Sequence, residues 1–230
     1  MSGFNEAFFL EHTQQGLKQL LIPFTTKQLE QLHTFSVEFF KWNGVHNLSA
    51  ISSDEEFLGA HVMDSLGAIN PIMKAVKMGL LPSQSKIADL GVGGGFPGML
   101  LAIFLPEFEF YLVEAIRKKT AFLQHVKGRL KLSNVKVVEQ RIELFAKEQP
   151  KSMDATISRA FTELKHFIDY SVPLIKEGGI MFAMKSQKIA FELESMSNDH
   201  QVVFNEELDI PYLDAYRCIL AIQTVRKLES

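Results

Sequence analysis

The chain from residue 85 onwards alternates between short apolar runs and longer segments in which apolar residues recur at helical spacing. The apolar runs predict strands at residues 86–91, 109–114, 135–139, 155–158, 180–184, 202–208 and 216–224. Helices are predicted between them at residues 99–105, 117–130, from about 142, 162–175 and 187–196. This alternation predicts an α/β fold with a mostly parallel sheet that carries helices on both faces. The last two strands have no convincing helix between them, so we expect them to close the sheet as an antiparallel hairpin.

The N-terminal part of the chain predicts helices only. Apolar residues at helical spacing predict helices at residues 4–21, 26–42 and 54–72. Residues 77–85 contain glycine and proline and are expected to form a linker. The pattern therefore predicts two regions, a small helical extension over residues 1–84 and an α/β domain over residues 85–230.

A glycine-rich turn joins the first predicted strand to the helix that follows it. Asp89 precedes five glycines between Gly91 and Gly98, among them Gly93 and Gly95. Glycines let the backbone approach a ligand where a Cβ atom would clash, and the start of a helix offers unpaired N–H groups. A strand, a glycine-rich turn and a helix predict a nucleotide-cofactor site.

The details of this turn discriminate between cofactors. Gly93, Gly95 and Gly98 match the glycine spacing of a dinucleotide-binding turn, which keeps an NAD(P)-dependent oxidoreductase as an alternative. However, Asp89 lies two residues before Gly91, and its carboxylate would repel a pyrophosphate but suits an ammonium group. S-adenosylmethionine has an amino-acid head and no phosphate, so we expect this methyl donor. A P-loop is excluded because no Gly-Lys-Ser/Thr follows the glycines.

Further candidate cofactor residues follow the second and third strands. Glu114 ends the second strand, 23 residues after Gly91, where a carboxylate can accept hydrogen bonds from ribose hydroxyls. Ile142 and Glu143 begin the helix after the third strand, where topology would place an adenine edge. An ordinary surface glutamate is the alternative for Glu114.

The fourth and fifth strands end in candidate catalytic cations. Arg159 follows the fourth strand and Lys185 ends the fifth, so both are expected at the edge of the sheet where ligands bind. Arg159 could hold a carboxylate or the base that accepts the methyl group, and a structural arginine is the alternative.

Motifs that are absent from the sequence limit the kinds of atom that could accept the methyl group. No Asn/Asp-Pro-Pro-aromatic loop, the usual device for exocyclic amines, follows the fourth strand. The single cysteine, Cys218, lies within a late strand, is expected in the core, and does not suggest the nucleophile needed at a pyrimidine carbon. A ring nitrogen such as guanine N7 needs neither device, and catalysis at such an atom is mostly positioning.

Composition predicts a globular protein with a large core. The 230 residues include 47% apolar residues and 19 phenylalanines. No secretory signal or bilayer-length apolar run is evident, so we expect a cytoplasmic protein that makes no membrane contact. One cysteine excludes a disulfide framework and a cysteine-rich metal site, and no metal is expected.

Charge is distributed unevenly along the chain. Residues 115–141 contain eight basic residues and one acid, whereas residues 186–214 contain seven acids and one base. The basic segment predicts a surface for a polyanion such as RNA, with Arg117, Lys118 and Lys119 as phosphate contacts. A solvated helix face explains the same segment about as well.

Four segments of the sequence occur in the same order in a known family. They are Trp42-Asn43-x-x-x-Asn47-Leu48, His61-x-x-Asp64-Ser65, Asp89-x-Gly91-x-Gly93-x-Gly95-Phe96-Pro97-Gly98 and Ile157-Ser158-Arg159-Ala160-Phe161. Across roughly residues 30–225 the chain thereby resembles the glucose-inhibited division protein B family, also called ribosomal RNA small-subunit methyltransferase G. The resemblance implies a class I methyltransferase with a Rossmann-like sheet that transfers a methyl group from S-adenosylmethionine to N7 of a guanine in 16S ribosomal RNA. We expect the protein to act as a monomer on the RNA or the small subunit, and not on DNA.

The family pattern also implies specific site residues. S-adenosylmethionine contacts would fall on Gly91, Phe96, Ile142, Glu143 and Arg159. Apart from this family set, His61 is a lone histidine on an apolar helix that we expect to contact RNA or cofactor, with a packed role between the two regions as the alternative.

The sequence departs from the family pattern at two positions. Ala60 replaces a common arginine, which could weaken an RNA phosphate contact, and Ser186 replaces a usual glycine. Besides the oxidoreductase, the competing interpretations are a methyltransferase for a small molecule or protein and a non-enzymatic RNA-binding protein.

Overall fold

The computed structural model describes residues 4–51, 53–159, 161, 163–186, 189–194 and 196–225. Its strands are β1 (Lys86–Leu90), β2 (Glu109–Glu114), β3 (Val135–Glu139), β4 (Met153–Ser158), β5 (Ile175–Lys185), β6 (His200–Glu207) and β7 (Cys218–Thr224). Its α-helices are α1 (Glu6–Gln19), α2 (Thr26–His46), α3 (Asp54–Phe57), α4 (Asp64–Leu66), α5 (Ile69–Lys77), α6 (Gly98–Phe104), α7 (Arg117–Leu130), α8 (Ile142–Glu148), α9 (Leu164–Ser171) and α10 (Ala190–Glu194). No helix in this described part of the chain is both long and apolar enough to cross a membrane.

The strands form one sheet in the order β3-β2-β1-β4-β5-β7-β6. The first five strands pair in parallel, and β7 pairs antiparallel with both β5 and β6. The mostly parallel sheet with an antiparallel closing hairpin is therefore confirmed. Because the strand order reverses between β1 and β4, the carboxyl ends of these two central strands open a crevice in which ligands of such folds bind.

Side chains that alternate along the strands build two separate cores, one on each face of the sheet. Phe110 and Leu112 on β2 belong to one core, whereas Tyr111 and Val113 belong to the other. Helices α1–α7 cover the first face and α8 and α9 cover the second. This placement puts the residues of the basic segment on α7 beside the N-terminal helices.

The N-terminal helices share the core of the first face. Phe35 and Phe39 of α2 are fully buried and make edge contacts with Phe96 and Phe122 at ring-centroid distances of 5.3–6.0 Å. The division into regions at residues 84 and 85 stays a prediction, and the outer ends of those regions, residues 1–3 and 226–230, lie outside the described residues.

The third predicted helix is not continuous. Residues 58–63 form a π-helical segment, Leu58–Met63, between α3 and α4, and α5 begins only at Ile69. A π turn contains one more residue than an α turn and is frequently found at functional sites. Apolar periodicity does not reveal it, because buried residues on both sides of Ala60 and His61 keep a helical pattern through the segment.

The fifth strand begins earlier than the predicted range of 180–184, because residues 177–179 belong to the strand and do not precede it. These residues lie within β5, which begins at Ile175, and Gly178 has a φ of 74°. The pairing with β4 shifts register beside Met153 and Ala155, so the two glycines make an irregularity inside the strand instead of ending it. The helix predicted at 187–196 is shorter, and residues 187, 188 and 195 lie outside the described residues.

A matched pair of glycines tests the packing between β1 and α6. A Cβ atom at Gly98 would lie 2.5 Å from Leu112 Cδ2 and 2.7 Å from Asp89 Oδ2, whereas one at Gly128 on α7 would meet nothing within 4 Å. We expect Gly98→Ala to lower the free energy of unfolding by about 1–3 kcal/mol. Gly128→Ala should raise it by about 0.5–1 kcal/mol, because alanine favours the helix. Chemical denaturation measures both, and equal stability of the two variants would contradict the close packing of Gly98.

Candidate active site

The predicted glycine-rich turn connects β1 to α6. Gly91, Gly93 and Gly95 have φ angles of 73°, 59° and 101°, in the left-handed region that side chains other than glycine rarely adopt. The N–H of Gly98, the first residue of α6, donates to Asp89 Oδ2 at 2.7 Å. The turn is thus closed onto the strand by a carboxylate that precedes it.

Asp89 is fully buried, and its two oxygens differ. Oδ2 accepts from Gly98, but Oδ1 has no hydrogen-bond partner among the described residues. Burial raises the pKa of Asp89 to about 7, although the Gly98 N–H and Arg159 both oppose the rise. One oxygen of the carboxylate therefore closes the turn, and the predicted contact of Asp89 with a cofactor stays a prediction. The remaining oxygen can receive a donor from a bound group.

Glu114 lies against the same turn. Its Oε2 accepts from the Gly93 N–H at 3.0 Å and its Oε1 from the Ile116 N–H at 2.9 Å. Each carboxylate oxygen can accept a second hydrogen bond, so the predicted bonding to ribose hydroxyls stays available. Lys119 Nζ lies 4.0 Å from Glu114 Oε2, so this lysine faces the turn, unlike its exposed neighbour Lys118.

The turn has room for a ligand at one glycine. A Cβ atom at Gly93 would come no closer than 4.0 Å to Gly91 O and Lys119 Nζ. The space therefore lies beside the glycine backbone and the Glu114 carboxylate, which accepts from the Gly93 N–H. These residues fit a cofactor that brings hydroxyl and ammonium donors and no phosphate.

Arg159 is held at the carboxyl end of β4 by the π-helical segment and by the first residue of α4. Its Nη1 donates to Ala60 O at 2.7 Å and to Asp64 Oδ2 at 3.0 Å. Its Nη2 lies 2.9 Å from His61 Nδ1, and the guanidinium carbon lies 5.4 Å from the Phe96 ring centroid. Arg159 therefore connects the N-terminal helices to the glycine-rich turn, as its predicted place after the fourth strand requires.

His61 serves this arrangement as a neutral ring. It stacks on Phe96 at a centroid distance of 4.3 Å. Because a guanidinium can only donate, Nδ1 accepts from Arg159, and Nε2 carries the proton and donates to Ser49 Oγ at 2.9 Å. Burial and the charge of Arg159 lower the pKa of His61 to about 3. The ring therefore carries no positive charge with which to pair with an RNA phosphate at neutral pH.

Asp64 joins two arginines, one of which the sequence analysis missed. Its carboxylate is 3% exposed and accepts from Arg159 through Oδ2 and from Arg217 Nε through Oδ1, the latter at 3.1 Å. Arg217 immediately precedes β7, and the pairing of Cys218 with Lys185 brings it to the end of β5. The antiparallel pairing was predictable, but its register was not, and only the register places Arg217 in the site.

These residues surround a cleft of about 380 Å³ at the carboxyl edge of the sheet. Its walls are formed by Ala60, His61, Asp64, Arg159, Phe161, Met184, Lys185, Ser186, Leu208, Arg217 and Cys218. Both predicted catalytic cations therefore reach one cleft, with Lys185 Nζ 2.9 Å from Glu192 Oε2. Cys218 is buried as predicted, but it lines this cleft as well.

Other predicted cofactor residues lie apart from the cleft walls. Ile142 begins α8 as predicted and packs against the core of the second face, whereas Glu143 is exposed and accepts from the Tyr170 hydroxyl at 3.2 Å. Phe96 is 6% exposed and packs among other aromatic rings. Its ring stacks on His61 and contacts the guanidinium of Arg159, so it helps to hold both side chains in place. Their roles toward the cofactor stay predictions.

Comparison with known proteins supports the resemblance noted from the sequence. The family model GidB, described as rRNA small subunit methyltransferase G, matches residues 28–220. A ribosomal RNA small subunit methyltransferase G from Polynucleobacter asymbioticus is 44% identical over 93% of this chain and 95% of its own length. A protein of the same name from Bordetella avium is 36% identical over 91% of each chain.

Solved structures share the fold at low sequence identity. TrmN from Thermus thermophilus superposes with a TM-score of 0.52 at 14% identity, covering 71% of this chain and 52% of TrmN. TYW2 from Pyrococcus horikoshii, in complex with MeSAdo, gives 0.50 at 13% identity, covering 68% of this chain and 63% of that protein. The sheet described above is thus the class I methyltransferase sheet. On the family match and the relatives together, the chain belongs to the rRNA small subunit methyltransferase G family and is an S-adenosylmethionine-dependent methyltransferase.

Proposed function

We propose that this protein transfers a methyl group from S-adenosylmethionine to N7 of a guanine in 16S ribosomal RNA. The observation that carries the proposal is the position of Arg159, which lies between the glycine-rich turn and the cleft and is oriented by Ala60, His61 and Asp64. Family membership supports the substrate class. It also weighs against an NAD(P)-dependent oxidoreductase and against a methyltransferase for a small molecule.

The glycine-rich turn and its carboxylates would hold the cofactor. We assign the methionine part to Gly91, Gly93, Gly95 and the free oxygen of Asp89, and the ribose to Glu114. Ile142, Glu143 and Phe96 complete the set on the family pattern. When bound, S-adenosylmethionine supplies a methyl group made electrophilic by the positive sulfur.

The cleft suits an acceptor that needs orientation and no general base. Guanine N7 has a free lone pair and no proton to lose, so positioning accounts for most of the catalysis. Arg159 keeps guanidinium donors beyond the three interactions described above, and such a planar fork can bind the O6 edge of guanine or a carboxylate. Lys185 and Arg217 bring two more cations to the same cleft.

The RNA would approach over the N-terminal end of α7. Arg117 and Lys118 are exposed there and are proposed as phosphate contacts, and Lys118 Nζ also donates to His46 O at 2.7 Å. Lys119 and His61, predicted as RNA contacts, face the turn and the cleft, where they would meet only the target nucleotide. We further propose that the protein acts in the cytoplasm as a monomer, on RNA and not on DNA.

Two glycines with similar backbone geometry test the cofactor site. Gly93 and Gly79 have φ angles of 59° and 71°, and neither has an atom closer than 4.0 Å to an added Cβ. Both valine variants should fold with a comparable cost from backbone strain. We expect Gly93→Val to weaken S-adenosylhomocysteine binding by about 10- to 100-fold, because the side chain fills the ligand space. Gly79→Val should bind normally in the same calorimetric titration, and equal binding by both would contradict the site.

Substitution of Arg159 tests whether its position between the glycine-rich turn and the cleft matters for methyl transfer. Arg159→Ala should reduce methylation of 16S rRNA by about 10- to 1000-fold, which corresponds to roughly 1.4–4 kcal/mol of transition-state stabilisation. Arg159→Lys should recover only part of the rate, because it restores charge without the planar fork. S-adenosylhomocysteine affinity falls if Arg159 holds the cofactor and is unchanged if it holds guanine. Wild-type turnover by a folded Arg159→Ala protein at saturating substrates would refute this site.

Because His61 is neutral in the folded protein, we predict that the stability of the fold depends on pH. In the unfolded chain the ring takes up a proton near pH 6.5, whereas the folded protein binds one only near pH 3. The folded state therefore loses stability through His61 as the pH falls across this interval. NMR of the labelled ring should show His61 neutral at pH 5 in the folded protein and mostly protonated in urea. A folded-state midpoint near pH 6.5 would show that Nδ1 does not accept from Arg159.

A further inference from the structure

We propose that His46, Trp42 and His125 form an aromatic strip that stacks on an unpaired base of the rRNA substrate outside the methylation cleft. Cationic side chains at both ends of this strip would hold the flanking phosphates. The inference rests on the proposed function and adds a recognition site to it. Single-stranded RNA is commonly recognised by aromatic rings that stack on splayed bases beside basic groups.

The three rings lie along the contact between α2 and α7. The Trp42 ring centroid is 5.1 Å from that of His46, one turn further along α2, and 5.4 Å from that of His125 on α7. The inner side of Trp42 packs on buried Phe122 at 5.7 Å. His125 is 37% exposed, and Val45 beside the strip is 75% exposed. Trp42 and His46 are half-buried. The strip is therefore fixed on the core by Phe122 and reaches solvent most fully at His125.

One end of the strip carries cations gathered around a single acid. Glu38 is only 9% exposed and lies 3.3 Å from Lys41 Nζ, 2.9 Å from His125 Nε2 and 3.8 Å from Arg129 Nη2. The side chains of Lys41 and Arg129 remain 64% and 59% exposed. One buried carboxylate thus fixes a cluster with an excess of basic groups, and the charge that reaches solvent is positive.

The other end of the strip carries the basic start of α7. Lys118 Nζ donates to the backbone carbonyl oxygen of His46, which places this ammonium group beside the residue that carries the last ring. Arg117 is exposed on the same turn. Rings with cations at both ends match a base between two phosphates. A protein partner would not require the alternation of flat rings and positive charge.

Hydrogen bonds connect the strip to the cleft. Asn43, next to Trp42, accepts from the Ser49 N–H at 2.8 Å, and Ser49 Oγ accepts from His61 Nε2. His61 in turn accepts from Arg159. The helix that carries Trp42 and the residue proposed to orient the target guanine therefore belong to one hydrogen-bonded network.

The single tryptophan of the chain gives a direct readout. We expect unmethylated 16S rRNA to quench the fluorescence of Trp42 at concentrations that saturate binding, because a stacked base quenches indole emission. Heparin, a polyanion without bases, should bind to the basic surface without this quenching. Equal quenching by heparin, or unchanged emission while anisotropy shows that the rRNA is bound, would overturn the aromatic strip.

Substitution of the cations at one end of the strip gives a second, independent test of the proposal. Lys41→Ala/Arg129→Ala should weaken rRNA binding by about 10-fold and lower the salt slope by about 0.7 for each phosphate that the variant no longer binds. The matched control, Lys147→Ala/Lys165→Ala, removes the same charge from α8 and α9 on the other face of the sheet, and should change binding little. Equal effects of the two double variants would overturn the proposal, because they would show only a general charge effect. S-adenosylhomocysteine binding should be normal in both.

Methylation assays on the same unmethylated 16S rRNA separate this inference from the function on which it rests. Wild-type protein that fails to methylate 16S rRNA would refute the proposed function. Methylation by the wild type with unchanged Trp42 emission and unaffected charge variants would refute the aromatic strip alone.

Discussion

The buried carboxylate of Asp64 is the interaction on which the active site depends. It is almost inaccessible to water, yet it balances Arg159 from the end of β4 and Arg217 from the start of β7. Removal of one partner from a buried ion cluster typically costs about 3–5 kcal/mol, because an unpaired charge is left in the interior. The end of β4, the start of β7 and helix α4, which follows the π-helical segment, are therefore held in one relative position by a single side chain. The cleft exists because these three elements meet there.

The N-terminal helices matter to the chemistry for the same reason. They provide Ala60, His61 and Asp64, which orient Arg159, and they share a continuous core with the sheet through Phe39 and its aromatic neighbours. A class I sheet alone would present the arginine on a loop, free to adopt many rotamers. Here hydrogen bonds from the N-terminal helices fix the arginine before a substrate arrives, so less conformational entropy is lost on binding.

The sequence predicted most of the sheet because its strands are short, apolar and separated by clear helices. The cofactor turn was equally visible, since only a ligand or a close approach explains so many glycines beside Asp89 and Glu114. What local pattern could not show were features set by distant parts of the chain. Arg217 enters the cleft through the register of β7 on β5. The ring of His61 is neutral because of burial and Arg159, and neither can be read from its neighbours in sequence.

The unpartnered oxygen of Asp89 has a consequence for protein engineering. A buried acceptor without a donor lowers the stability of the ligand-free protein by an amount on the order of 1–3 kcal/mol. A selection for thermostability in the absence of cofactor would therefore favour smaller polar replacements that still accept from the Gly98 N–H but lack the second oxygen. The same replacements would remove the acceptor that a bound ammonium group can use. Stability and methyl transfer thus place opposite demands on one side chain, and a stabilised variant of this enzyme is best selected with its cofactor present.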